Sequence, residues 1–180
     1  MGKQLNSLQK KSLCLNTFLR LALPLWIFIN PIQGVIIGVI TDGIDYYLLV
    51  RHAKLSNSKY QYQDKIFDYY WYVLIIIYAY LHISDYLILK MLICTFIFRT
   101  IGHIIYLQKH DERIFLYFPN IFEPIFWIWT FNPSYLNSFT LLPTLIIILF
   151  IKISIEYYVH IIHVNPLNQF FHFLGLKTNF

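Results

Sequence analysis

Four apolar runs, at residues 21–40, 69–83, 86–107 and 139–155, are set apart by short polar breaks. Each is close to the roughly 20 residues that a helix needs to cross the hydrocarbon core of a bilayer. The 180-residue chain is 58% hydrophobic and only 13% charged, where a soluble domain of this length would be far more polar. The expected fold is all-α: a polytopic membrane protein with about six transmembrane helices, forming a single integral membrane domain over residues 1–180. The two cysteines, Cys14 and Cys94, lie far apart in apolar surroundings and point to packing rather than to a disulfide framework or a metal knuckle.

Turn chemistry divides the chain further. Residues 1–12, with Lys3, Lys10 and Lys11, read as a basic segment at the membrane surface, and no small-residue cleavage site follows, so the first span is expected to stay in the protein. Spans are expected at about 15–29, 31–51, 64–82, 86–107, 114–131 and 138–158. Asn30-Pro31 separates the first two, because the residue before proline is pushed out of the helical region and proline itself opens a helix well. Residues 52–63 read as a polar loop. Span five contains Pro119, Pro124 and Glu123 and is expected to be kinked or partly interfacial.

Lysine and arginine test this arrangement, since cytoplasmic loops hold the excess of positive charge. Nearly all of those in the connections fall in the amino-terminal segment, in the loops after spans two and four, and in the tail; the turns at 30–31, 84–85 and 132–137 have none. Both termini and the loop after span two are therefore expected to be cytoplasmic. The net charge of +5 is accounted for by topology and by anionic lipid headgroups. No basic cluster with interleaved stacking residues stands outside the apolar runs, so a nucleic-acid partner is not expected.

Of nine acidic residues, four fall in two pairs, Asp42 with Asp45 and Asp64 with Asp68. Spacings of three and four put each pair on one helical face. The topology sets the end of span two beside the start of span three, so all four carboxylates can converge at one depth. An Asp near the membrane costs on the order of 2.5–3.5 kcal/mol, so four of them call for a cation. Carboxylates suit Mg²⁺, Mn²⁺ or Ca²⁺, and magnesium held this way leaves positions for substrate phosphate. The expected chemistry is metal-assisted and acts on a phosphorylated lipid or nucleotide at the cytoplasmic interface. Asp64 and Asp68 could instead cap span three, but the helix dipole does not favour Asp42 and Asp45 near the end of span two.

These residues resemble the CDP-alcohol phosphatidyltransferases, six-helix membrane enzymes whose signature is D-x-x-D-G-x-x-A-R, eight residues, then G-x-x-x-D-x-x-x-D. Asp42-Gly43-Ile44-Asp45 matches the first pair, Arg51 stands one residue after the position of the arginine, and Asp64-Lys65-Ile66-Phe67-Asp68 matches the last pair at a spacing one residue longer. The stretch Asn16-Thr17-Phe18-Leu19-Arg20 is similar to the family's first-span opening. Tyr46 and Tyr60 stand where the family has glycine. The resemblance implies transfer of a substituted phosphate from a CDP-linked donor to an alcohol acceptor in phospholipid synthesis, with release of CMP. It implies a two-metal Mg²⁺ or Mn²⁺ centre on Asp42, Asp45 and Asp64, with Asp68 sharing a metal and acting as base. Arg51, Lys54 and Lys65 would meet donor phosphates, and Arg99 either binds an acceptor phosphate or snorkels to the interface. A homodimer is implied as well. A second reading, from a different class, is a non-catalytic membrane protein whose acids bind a cation structurally or in transport. His160 and His163 read as interfacial or satisfied histidines, and Lys152 with Glu156 as a pair one helical turn apart.

Overall fold

A computed structural model describes residues 6–46, 48–49 and 57–160. The expected all-α class holds: regular structure among the described residues is helical throughout. The chain forms two compact units, Met1–Asp85 and Tyr86–Phe180.

In the first unit α1 runs over Ser7–Ala22, followed by a 3₁₀ segment, Leu23–Phe28. α2 covers Pro31–Tyr46 and α3 covers Asn57–His82. Asn6 starts α1 with a reciprocal cap: its side chain accepts from the Gln9 N–H at 2.8 Å, and the Gln9 side chain accepts from the Asn6 N–H at 2.9 Å. The helix thus begins within the stretch expected to be a surface segment. Pro24 has no N–H for the carbonyl four residues back, and the α-helix tightens to 3₁₀ there. At this junction the Tyr70 hydroxyl donates to the Leu21 carbonyl at 3.0 Å. α3 starts seven residues earlier than the expected 64, so residues 57–63 are helix and not loop. None of these residues is a helix breaker.

α1 and α2 turn polar or small residues inward and many apolar ones outward, whereas α3 buries Phe67, Trp71, Leu74 and Ile75. α1 buries Asn16 and Arg20 but exposes Phe18 and Leu21. α2 buries Gly34, Gly38, Thr41 and Asp45 along one face, and exposes Ile36, Ile40 and Ile44. Thr41 satisfies its hydroxyl on the Ile37 and Gly38 carbonyls, at 2.9 and 2.8 Å. Gly34 lets α2 meet the 3₁₀ segment backbone to backbone: an added Cβ would lie 2.6 Å from the Ile27 Cα.

The second unit comprises α4 (Tyr86–Lys109), α5 (Ile114–Tyr117), α6 (Phe122–Phe131) and α7 (Leu141–His160). α4 and the Leu141–Tyr158 part of α7 are long and apolar enough to cross a membrane by length and composition. They correspond to the expected spans four and six. α1 and α2 fall short at 16 residues each, and α3, at 26 residues, contains Asp64, Lys65 and Asp68. His110, with a φ of 53°, closes α4 in the left-handed region usual at helix ends. The expected span five is two helices, α5 and α6, with Pro119 between them. Asn120 starts α6: its side chain donates to Glu123 Oε2 at 2.7 Å and accepts from the Glu123 N–H at 3.3 Å. Leu142, Ile146 and Phe150 on α7 are exposed, at 65%, 60% and 75%, a pattern that calls for an apolar surrounding. Cys14 and Cys94 are exposed rather than packed inside.

The glycine contacts give a paired prediction. Gly34→Ala pushes its methyl into the Ile27 backbone and should destabilise the protein by about 1–3 kcal/mol. Gly43→Ala, with open space around the added methyl, should be neutral or stabilising by up to about 1 kcal/mol. Unfolding in detergent micelles compares the two, and equal effects would contradict the close approach.

Candidate functional site: four carboxylates around one guanidinium

The two acid pairs come from different helices. Asp42 and Asp45 occupy the last turns of α2, where the helix dipole does not welcome negative charge. Asp45 is fully buried, whereas the Asp42 side chain is half exposed. Asp64 and Asp68 lie inside α3, whose first turn contains no acid, so capping does not explain them. Both are largely covered, at 16% side-chain exposure.

All four meet at Arg20, which α1 brings in from outside the two acid-bearing helices. Its Nη1 pairs with Asp42 Oδ1. Its Nε lies 3.3 Å from Asp45 Oδ2, and its Nη2 lies 3.1 Å from Asp68 Oδ1 and 3.5 Å from Asp64 Oδ1. The guanidinium carbon sits 5.6 Å from the centroid of the Phe67 ring, within cation–π range. Asn16, one turn before Arg20 on α1, donates to Asp45 Oδ1 at 3.3 Å. Lys65 adds a second cation, 2.8 Å from Asp64 Oδ2 and 3.1 Å from Asp68 Oδ2.

The charges do not cancel. Four carboxylates stand against one guanidinium and one ammonium, which leaves two formal negative charges in a mostly covered place. Asp45 Oδ2 and Arg20 Nε, moreover, are buried without a hydrogen bond among the described residues. A buried carboxylate oxygen without a donor, an all-oxygen donor set and a surplus of two negative charges fit a hard divalent cation. With Arg20 in their midst, the described residues include no three acidic, histidine or cysteine side chains placed to hold a metal ion directly.

Of the phosphate-binding candidates, Arg51 and Lys54 lie outside the described residues, as does His163. Lys65 directs its ammonium at Asp64 and Asp68. Arg99 belongs to the second unit, where its Nη1 donates to the Phe118 carbonyl at 2.6 Å and lies 3.8 Å from Glu156 Oε1. Its guanidinium covers the Phe115 ring at 4.2 Å. Glu156, matched with Lys152 by spacing, thus also faces Arg99. Arg20 and Asn16 enter the sequence reading only as part of a first-span motif. The signal that could have placed Arg20 in the site is general: an arginine inside an apolar span needs a carboxylate partner.

Comparison with protein-family models, curated proteins and solved structures gives no match to this chain.

Arg99, itself buried, makes a charged hydrogen bond to the part-buried Phe118 carbonyl, so Arg99→Ala should lower stability by about 1.5–3 kcal/mol in micellar unfolding. Unchanged stability would return Arg99 to the phosphate-binding candidates.

Proposed function

We propose that the chain is an integral membrane enzyme that transfers a substituted phosphate from a CDP-linked donor to an alcohol, releasing CMP at the cytoplasmic face. The observation that carries this reading is the meeting of two acid pairs, from α2 and α3, on one cationic centre with two negative charges to spare. The spacing of those acids supports the family reading. A six-span topology with both termini cytoplasmic draws support from the positive-charge distribution, from the two long apolar helices and from the inside-out arrangement of α1 and α2. The same reading includes a homodimer.

Asp42, Asp45, Asp64 and Asp68 would hold Mg²⁺ or Mn²⁺. Bound there, the metal would supply Lewis-acid polarisation of phosphate oxygens and neutralisation of their charge. Asp68, placed on the interior turns of α3, takes the proton of the acceptor hydroxyl as the acceptor oxygen bonds to the donor phosphorus. The pyrophosphate oxygen–phosphorus bond breaks, and CMP leaves with that bonding pair. Arg51 and Lys54 are the candidates for the donor's phosphates. Lys65 and Arg99 could serve phosphate only by giving up the carboxylate and carbonyl partners they have here.

A second reading is favoured by one specific observation: Arg20 alone contacts all four carboxylates. In that reading the acids form a structural ion cluster with no turnover.

CMP release from CDP-diacylglycerol with a panel of alcohols, with Mn²⁺ and after chelation, separates the two. The transferase reading expects metal-dependent release that Asp68→Asn lowers by about 10²–10⁴-fold, the usual contribution of a general base. Folded protein that releases no CMP from any pair would favour the structural cluster.

A further inference from the structure

The group at the middle of the four carboxylates is the protein's own side chain. Arg20 is only 5% exposed and comes from α1, which contributes none of the acids. The fit is incomplete at its most buried point: Arg20 Nε and Asp45 Oδ2 lie 3.3 Å apart, and neither has a hydrogen bond among the described residues. A guanidinium is planar and directs its N–H groups in a rigid fork. It cannot give four carboxylates from two helices equally good bonds. A divalent cation carries twice the charge and takes oxygen ligands around its whole sphere. The oxygens that face Arg20 are the ones such an ion would use, so the two cations compete for one set of acceptors.

We infer that Arg20 is the resident counter-ion of the site: a positioning residue that keeps the acids assembled while no divalent ion is bound and gives up Asp42 and Asp45 when one enters. This rests on the metal-binding part of the proposed function and is independent of the transfer reaction. Without Arg20, three formal negative charges remain in place of two. The site then binds a divalent ion more tightly, and its stability comes to depend on that ion.

The test uses the full chain in detergent micelles. Mn²⁺ binding is followed by loss of the free-ion electron paramagnetic resonance signal, and thermal unfolding is followed in EDTA and in Mn²⁺. The wild type should unfold at nearly the same temperature in both. Arg20→Met should bind Mn²⁺ at least about tenfold more tightly, equivalent to about 1.4 kcal/mol, and should unfold several degrees lower in EDTA than in Mn²⁺. Asp45→Asn added to Arg20→Met restores the wild-type charge balance, and should recover stability in EDTA while lowering Mn²⁺ affinity again. Unchanged Mn²⁺ affinity in Arg20→Met overturns the inference, as does equal unfolding of that variant in EDTA and Mn²⁺. If the single variant does not fold in either medium, recovery of the double variant in EDTA supports the inference and its failure overturns it. Absence of CMP release alongside the expected Mn²⁺ behaviour would remove the transferase reading and leave Arg20 in this role. CMP release without any effect of Arg20→Met on Mn²⁺ binding would do the reverse.

Discussion

A guanidinium buried to 5% exposure among apolar helices is tolerable only where carboxylates surround it, and here three helices converge for that purpose. Arg20 on α1, Asp42 and Asp45 on α2, and Asp64 and Asp68 on α3 are each costly alone. Removing Arg20 would leave the carboxylates uncompensated, so the geometry of the first unit depends on their meeting. Other features of the unit serve that approach. Gly34 brings α2 against the 3₁₀ segment that follows Arg20, Gly38 makes room for the Trp71 indole, which an added Cβ would meet at 3.3 Å, and Asn16 fixes the second oxygen of Asp45.

The second unit solves a similar problem with one charge and a carbonyl. Arg99 on α4 reaches the Phe118 carbonyl in the break between α5 and α6, and Gly102 allows the Phe118 side chain to lie against α4, where an added Cβ would come within 2.6 Å. The break that Pro119 forces on the chain is therefore bound to α4 by a charged hydrogen bond and a ring contact, with Glu156 of α7 close by. Each unit buries an arginine, which meets carboxylates of two helices in the first and the carbonyl of a helix break in the second.

The sequence showed much of this directly. The helical class, the turn at Asn30-Pro31, the two long apolar helices and the break in span five follow from apolar run length and proline chemistry, which act locally. The convergence of the four acids followed from helical spacing plus a single topological step. Other features were not legible for physical reasons. The early start of α3 was hidden because a polar stretch such as 57–63 can be solvated helix or loop, and composition does not distinguish them. The place of Arg20 was hidden because the contact links α1 to residues up to 48 positions away, whereas periodicity reports only which residues share a face. The ion pairs of Lys65 with Asp64 and Asp68 were not read for a related reason: the pattern of acids drew attention to a ligand, whereas a lysine between two acids on one helix also has them as neighbours.

The 3₁₀ segment that contains Pro24 has a consequence for length. Beyond Lys11 the element contains eleven α-helical residues, 12–22, and six 3₁₀ residues. At 1.5 Å per α residue and 2.0 Å per 3₁₀ residue it extends about 28 Å, where an unbroken α-helix of the same residues would reach about 26 Å. The tighter coil lengthens the element by about 2 Å without adding residues, and Arg20 stays on its α-helical part, level with the acids of α2 and α3. Axial length and ion-pair register, usually set by separate parts of a helix, are here both governed by one proline.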